Sequence, residues 1–421
     1  MNIIRSLKGT HDILPEESNK WRKLESIIHE VCLQNGYNEI RTPIFEETSL
    51  FSRSVGEETD IVSKEMYTWA DKDGTSLTLR PELTASVVRS FIQHNLSNQS
   101  PIQRLYYIGP LFRRERPQKG RQRQFHQFGI EAFGADNPEQ DAEIIAVAWQ
   151  ILNRCGLTND ADLNLNNIGS IECRTNYKSA LKEYLLPYLN DLSEVSQGRF
   201  KSNPLRILDT KSEKEQEILK SAPLISDYYS PEDKNHLEQL KEFLNGMNIP
   251  FKINEKLVRG LDYYSRTVFE FNSRILGAQD ALLGGGRYDG LVKILGGKQT
   301  PGIGFAAGME RLLMIMNKER FFSEKLMPDI YFICLDEKGI HTALRISKDL
   351  REIGFKVITD PLRRSMKSQL REANKLGTRF ALILGESEIQ ENSVSFKDLV
   401  NGTQKLILQS NVLKFFDDLI K

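Results

Sequence analysis

A chain of 421 residues exceeds what one core usually serves, so two or three domains are expected. With 39% hydrophobic and 27% charged residues it has the composition of an ordinary globular protein, neither disordered nor fibrous. Lys+Arg and Asp+Glu balance at 57 each, which argues against bulk attraction to nucleic acid and leaves any RNA contact to a local basic patch. No apolar run is long enough to span a bilayer, and the first residues lack a signal-peptide core, so a cytoplasmic protein without membrane contact is expected. Cys32, Cys155, Cys173 and Cys334 form no C-x-x-C pair, which predicts reduced, mostly buried thiols rather than a zinc or redox motif.

In chain order, apolar residues at Trp21, Leu24, Ile27, Ile28, Val31 and Cys32 predict a helix over Asn19–Asn35, ended by Gly36. Tyr37–Ile44 reads as a strand with Pro43 near its end. Leu77–Arg80 reads as a short strand, and Pro81-Glu82 as the opening of a helix through Ala85, Val88 and Ile92. Arg104–Phe112 and Gln124–Gly134, joined by a polar loop, predict an antiparallel pair. Around Asn164 to Pro250 charge rises and helical patterns dominate, as expected of a helical module inserted into a larger domain. Strand-like sequence returns at Val268–Phe271. Gly284-Gly285-Gly286 reads as a sharp break, and Gly302–Met316 as a strand running into a helix. Met327-Pro328 reads as a linker. After it a strand (Ile330–Leu335), helix (His341–Ile353), strand (Lys356–Thr359), helix (Ser365–Leu376) and strand (Phe380–Leu384) alternate, the pattern of a separate α/β domain.

Arg113, Arg114, Arg116, Lys119, Arg121 and Arg123 crowd the loop between the paired strands, with Glu115 its only acid. A solvated hairpin tip is one reading. Phosphate binding is the other, because the planar arginine fork suits bidentate phosphate contact. The aromatics Tyr106, Tyr107, Phe112, Phe125 and Phe128 flank the loop as candidate stacking surfaces for a base. His11 and His126 lack metal-ligand spacing and read as packing or hydrogen-bonding residues; no metal site is expected. Gly302-x-Gly304 with Gly308 misses the dinucleotide fingerprint, and Gly297-Lys298 has no P-loop context.

The stretch Leu111–Pro117 with Arg123–Gln127 resembles motif 2 of class II aminoacyl-tRNA synthetases. Asn35-Gly36-Tyr37 through Thr42-Pro43 is similar to their motif 1, and Gly302–Arg311 to motif 3. Leu257–Tyr264 and Gly285–Gly290 resemble the two signature peptides of the histidyl-tRNA synthetase family, and Lys8–Pro15 resembles its N-terminus. The resemblance covers essentially the whole chain. It implies an α+β fold: a class II synthetase-like antiparallel sheet flanked by helices over residues 1–325, with a helical insertion near 165–250. An α/β anticodon-binding domain would follow over 326–421. It further implies an enzyme that activates histidine with ATP to histidyl-adenylate and pyrophosphate, then moves histidine to the 3′ end of tRNA(His). Mg²⁺ would bridge the outer phosphates of the ATP substrate, and motif 1 would build a homodimer.

The chemistry needs charge and alignment rather than a base. An α-carboxyl group titrates near pKa ~3.5, so the attacking carboxylate is already ionised, and the task is to bring an anion up to a polyanion. By the resemblance, Arg259 and Arg113 are catalytic, at the histidine carboxylate and the α-phosphate. Arg311 lies on the γ-phosphate side, Phe125 stacks on adenine, and Glu115 accepts from its exocyclic amine. Neutral imidazole offers one donor and one acceptor nitrogen. Glu131 can accept its N–H, and the hydroxyl of Tyr264, or of Tyr263, can donate to the other nitrogen. Strand alternation would turn one of those tyrosines into the pocket and leave the other structural. The resemblance places Glu131, Tyr264 and Tyr288 in this pocket, and Glu82, Thr84 and Gln127 around the α-amino group. Arg116, Lys119, Arg121 and Arg123 would meet the tRNA acceptor end.

Blander readings stay open. Glu82 could simply stabilise its helix N-terminus, and Tyr263 and Tyr264 could be strand packing. Arg363, Arg364, Lys367, Arg371 and Lys375 read either as a basic helix face for the anticodon or as a solvated one. The nearest rival function is the non-catalytic, histidine-sensing regulatory subunit of ATP phosphoribosyltransferase. That paralogue typically lacks the anticodon domain and degrades the ATP-binding arginines, whereas Arg113, Arg259, Arg311 and an α/β tail are present here. A pure RNA-binding module would need neither the Arg259–Tyr264 peptide nor motif 3.

Overall fold

The first helix, Pro15–Gln34, begins earlier than its apolar spacing predicts. Proline at the first helical position, followed by Glu16 and Glu17, suits a helix start, and Gly36 leaves the helix at φ 75°. The structure, a computed structural model, describes residues 3–420 apart from 57, 58, 60, 119, 278, 279 and 317–326. Two compact units divide the chain, Met1–Phe322 and Ser323–Lys421. The boundary expected at 325/326 falls outside the described residues, as does Lys119.

Of the strand expected over Tyr37–Ile44 only β1 (Asn38–Glu39) pairs. The reason lies in Arg80, whose guanidinium takes the carbonyls of Thr42 (2.8 Å) and Pro43 (3.1 Å) that a neighbouring strand would otherwise bind. β2 (Phe45–Glu47), β3 (Tyr67–Ala70) and β4 (Ser76–Leu79) then form a small antiparallel sheet in the order β2-β4-β3. The next helix starts at Thr84, not at Pro81.

The main sheet is built from β1 together with β5 (Gln103–Phe112), β6 (Gln124–Phe133), β7 (Ala161–Asn167), β8 (Lys252–Ile253), β9 (Ser265–Ser273), β10 (Ala281–Arg287) and β11 (Gly302–Gly308). Their order is β1-β5-β6-β11-β10-β9-β7-β8. β5 and β6 form the expected antiparallel pair. Antiparallel pairing runs on through β11, β10, β9 and β7, with short parallel strands at the two edges. The sheet carries a core on each face, because successive strand residues point oppositely. Tyr106, Phe128 and Ile130 pack against the helices Pro15–Gln34 and Pro138–Arg154. Leu105, Tyr107 and Phe133 face the helix Thr84–Gln93 and the inserted module.

Gly284-Gly285-Gly286 is not a break but the middle of β10. These positions stay bare because each lies against something: Gly284 under the Arg259 guanidinium, Gly285 against Phe305 and the Gly304 carbonyl, Gly286 against the Thr267 carbonyl. The inserted module also departs from its expected bounds. β7 takes Ala161–Asn167 into the main sheet, and the module's helical part runs from Ile171–Leu185 to Pro231–Gly246. That last helix buries His236, Leu240 and Leu244 at i, i+4, i+8, and Leu240 and Leu244 join the core around Pro138–Arg154.

In the second unit β12 (Ile330–Cys334), β13 (Val357–Thr359) and β14 (Phe380–Leu384) are parallel, in the order β13-β12-β14. Two antiparallel strands missing from the sequence reading, β15 (Ser393–Asp398) and β16 (Gln404–Leu408), extend the sheet. Ile330 and Phe332 face the helices Ile340–Glu352 and Val412–Ile420, while Tyr331 and Ile333 face Met366–Lys375. Arg363 and Arg364 precede that last helix and pair with Glu337 and Asp360. Only Lys367, Arg371 and Lys375 lie on it, all exposed. The four cysteines are free, and three are buried. No helix among the described residues is long and apolar enough to cross a membrane.

Candidate active site

Directly opposed strand residues share a face of the sheet. Glu131 lies opposite Gly304, which lies opposite Gly286. Gly129 lies opposite Ala306, which lies opposite Gly284 and then Glu270. Gln127 lies opposite Gly308. The face is therefore a floor of glycine and alanine from which Phe125, Gln127, Glu131 and Glu270 rise. Small residues at these crossings are what leave room for ligands above the sheet.

At one end stands Glu131, only 1% exposed. Its Oε1 accepts from Thr84 Oγ1 (2.7 Å) and from the Tyr107 hydroxyl (3.1 Å), and its Oε2 accepts from the Tyr288 hydroxyl. Burial pushes its carboxyl up to about 8, against the lowering effect of those hydrogen bonds. Glu82 accepts the amides of Thr84 (2.8 Å) and Ala85 (2.9 Å), so its carboxylate does cap the helix Thr84–Gln93. Burial raises its pKa as well.

Tyr263 and Tyr264 precede β9 in an irregular loop, so strand alternation does not separate them. Their ring centroids are 4.7 Å apart, and Tyr263 meets Tyr288 edge-on at 5.7 Å. Both tyrosines are buried and within electrostatic reach of Glu82 and Glu131.

Next to this polar pocket lies a cavity of about 180 Å³. Arg113, Glu115, Arg121, Phe125, Gln127, Arg259 and Arg311 all line it. Arg113 donates to the Pro81 carbonyl (2.9 Å) and sits 5.2 Å over the Phe125 ring. Arg259 pairs with Glu270 on the sheet floor, and its Nε is buried without a hydrogen-bond partner among the described residues. Arg311 donates to the carbonyls of Ala281 (2.7 Å) and Gly120 (3.4 Å). Arg121 is tied to Glu115 at 3.0 Å. Arg116 is exposed, and the backbone amide of Arg123 is held by the Gly9 carbonyl at 2.7 Å.

Of the five aromatics flanking the loop, Phe125 alone lines this cavity. Tyr106 turns to the other face and its hydroxyl bonds His29 Nδ1 (2.8 Å), while Phe128 is core. Tyr107, overlooked as a pocket residue, faces Glu131; the hairpin register and period-2 alternation were the signal for it. Glu310 was also missed. It accepts the backbone N–H of His126 (2.9 Å) and lies 3.0 Å from its Nδ1, the hydrogen-bonding role expected of that histidine. His11 bonds Glu17 at 3.1 Å on the surface.

The chain matches the family model "Histidyl-tRNA synthetase" over residues 9–312 and the model "Anticodon binding domain" over 329–419. It is 46% identical over 409 residues to a histidine–tRNA ligase of Desulforamulus reducens, covering 97% of each chain. With that of Halothermothrix orenii it shares 44% identity over 420 residues, 99% of this chain and 100% of the other. Among solved structures, apo histidyl-tRNA synthetase of S. aureus superposes with a TM-score of 0.81 at 36% identity, covering 98% of this chain and 100% of that one. Full-length likeness at this level, with the arginine-lined cavity and the α/β second unit both in place, decides the assignment: the chain belongs to the histidyl-tRNA synthetase family.

Proposed function

We propose that this chain activates histidine with ATP and esterifies it onto tRNA(His). One observation carries the reading: a buried carboxylate ringed by three hydroxyls lies beside a cavity walled by Arg113, Arg259 and Arg311. The first selects an uncharged polar ring; the second accommodates phosphates. Both stand on one sheet face.

In the first step a histidine carboxylate oxygen bonds to the α-phosphorus, and the bond to pyrophosphate breaks. Arg259, between the tyrosine pair and the cavity, steadies the carboxylate and the α-phosphate together, where charge develops. Arg113 grips the α-phosphate and Arg311 the γ-phosphate side. Phe125 stacks on adenine and Glu115 accepts from its amine. Glu131 takes the imidazole N–H, and Tyr264 donates to the second nitrogen with Tyr263 packed against it. Tyr288 orients Glu131, while Glu82, Thr84 and Gln127 surround the α-amino group. A phenylalanine side chain would leave these polar groups unpaired, which a buried site rejects strongly.

Magnesium fits as a companion of ATP. No three His, Cys, Asp or Glu side chains among the described residues form a metal cluster. The cavity's carboxylates, Glu115 and Glu310, are already paired with Arg121 and His126. Such a donor set suits an ion held mainly by phosphate oxygens and water, where it neutralises their charge.

In the second step histidine passes to the terminal ribose, with Arg116, Lys119, Arg121 and Arg123 toward the acceptor end. We assign residues 1–325 to catalysis and 326–421 to the anticodon. ATP and tRNA as substrates go with a cytoplasmic location. A homodimer is supported by exposed apolar residues around the small sheet, Ile44, Phe45 and Trp69, the last two rings 6.1 Å apart.

Histidine-dependent ATP–pyrophosphate exchange tests the reading. Wild-type protein should exchange, whereas a regulatory subunit would not. Arg259→Ala should lose on the order of 1,000-fold in exchange while keeping tRNA affinity; retained exchange refutes the role of Arg259. Activity from a monomer on dilute size-exclusion chromatography would contradict the dimer.

A further inference from the structure

The loop that carries Arg259, Tyr263 and Tyr264 lies between β8 and β9 and has no regular secondary structure of its own. Its first residues are held by the Leu257 amide donating to the Asn254 carbonyl (2.9 Å) and by Asn166 Nδ2 of β7 donating to the carbonyls of Glu255 (3.1 Å) and Leu257 (3.0 Å); from Gly260 on, the ties come from further away. A loop of this kind samples many conformations unless side chains from elsewhere bind its backbone.

Those side chains come from the inserted helical module. Arg206, in the turn Pro204–Asp209, donates through Nη2 to the Gly260 carbonyl at 2.9 Å. The same nitrogen lies 3.1 Å from Asp262 Oδ1. Asn203 Nδ2 donates to that carboxylate oxygen as well, at 2.7 Å. Arg174, on the helix Ile171–Leu185, donates through Nη1 to the Tyr264 carbonyl. Arg206 is itself anchored, since Arg199 Nη1 donates to its carbonyl at 3.0 Å. The remaining side of Asp262 rests against Gly56, where a side chain would collide with Oδ2. The segment from Gly260 to Tyr264 is thus bound at both ends by two arginines that lie outside the sheet.

We propose that Arg174 and Arg206 are positioning residues for histidine activation. Through them the helical insertion sets the placement of Arg259 and of the Tyr263–Tyr264 pair. The module then acts in the first half-reaction, before any tRNA is bound. Arg206 meets a carbonyl and a carboxylate through the single nitrogen Nη2, so its positive charge and its reach from the turn Pro204–Asp209 carry the contact. The inference rests on the proposed histidine activation, and its test separates the two.

The experiment compares wild type, Arg206→Ala, Arg206→Lys and Arg174→Ala in full-length protein. Histidine-dependent pyrophosphate exchange is measured alongside amide hydrogen exchange by mass spectrometry. Misplacing reacting groups by about 1 Å can cost on the order of 100-fold. Both alanine variants should therefore lose about 10- to 100-fold in kcat/KM for histidine, and Arg206→Lys should recover part of that loss, because one ammonium nitrogen can donate to the same two acceptors. The KM for ATP should move less than that for histidine. Amides of 259–264 should exchange faster in the variants, while those of β6 and β11 stay protected. Unchanged kinetics or unchanged protection of 259–264 overturns the positioning role. If a variant loses protection throughout the first unit, the two arginines are general structural supports and the proposal also fails. Wild-type protein without histidine-dependent exchange would instead sink the activity, and the loop's protection pattern would still report on the clamp.

Discussion

Gly304 lies directly opposite Glu131 in the sheet, and a methyl group on Gly304 would overlap Oε2 of that carboxylate. The amino-acid pocket therefore exists because β11, the fifth strand after β6 in sequence, supplies no side chain at one point. The Gly304 carbonyl also contacts Gly285 on the neighbouring strand, so the crossing is tight on both sides.

This closeness predicts the outcome of Gly304→Ala. Overpacking at a filled crossing costs about 1–3 kcal/mol. The displaced carboxylate would also lose its bond from Tyr288. Urea unfolding should show the stability loss, and histidine-dependent pyrophosphate exchange should fall further than stability alone explains. Wild-type exchange in a folded variant would show that Oε2 is not needed where it stands.

The buried carboxyl of Glu131 makes stability depend on pH. Its pKa rises from the ordinary 4.5 to about 8 because burial disfavours the charged form. Between those values the unfolded chain has released this proton and the folded chain still holds it. Stability therefore falls as pH rises through the window, by up to about 1.4 kcal/mol per pH unit. The contribution is complete below the unfolded value and lost above the folded one. Melting temperatures of ligand-free wild type and Glu131→Gln, measured from pH 5 to 8.5, should diverge in this direction. Parallel curves would mean that the carboxyl ionises normally.

Arg287 offers a stability prediction that spares the ligand contacts. Its side chain is fully buried and lies 2.6 Å from Asp141 Oδ1 and 3.1 Å from Asp289, while donating to the carbonyls of Ala135 and Asn137 at 3.0 Å each. Asp141 also accepts from Thr267 (2.5 Å) and lies 2.8 Å from His236 Nε2 on the helix Pro231–Gly246. Arg287→Met breaks a buried ion pair and leaves the Asp141 carboxylate with only the Thr267 hydroxyl and the His236 ring, which costs about 3–5 kcal/mol. Chemical denaturation should report that loss. A variant as stable as wild type would mean that the buried Arg287–Asp141 pair contributes no net stability.

Much of the catalytic unit could be read from spacing and residue type. Both long hairpin strands, the strand-to-helix turn after Pro301 and the arginine-rich loop were legible because each is a local pattern. Motif residues scattered from Lys8 to Arg311 were legible through resemblance. Misreadings occurred where a long-range partner overrode the local signal. Three glycines looked like a break because their strand neighbours are distant in sequence. Tyr37–Ile44 looked like one strand because Arg80 is far along the chain. β7 hid in a charged, helix-rich stretch since only the sheet reveals its alternation.

By itself, then, the order of amino acids determined the family, the cationic loop and the alternating tail, because these rest on neighbours within a few residues. Tertiary structure alone decided which face each aromatic takes, why Tyr107 rather than Tyr106 reaches Glu131, and that a helical insertion grips the Arg259 loop. Those outcomes depend on strand register and on contacts across more than fifty residues. A one-residue shift of register would turn every side chain to the other face.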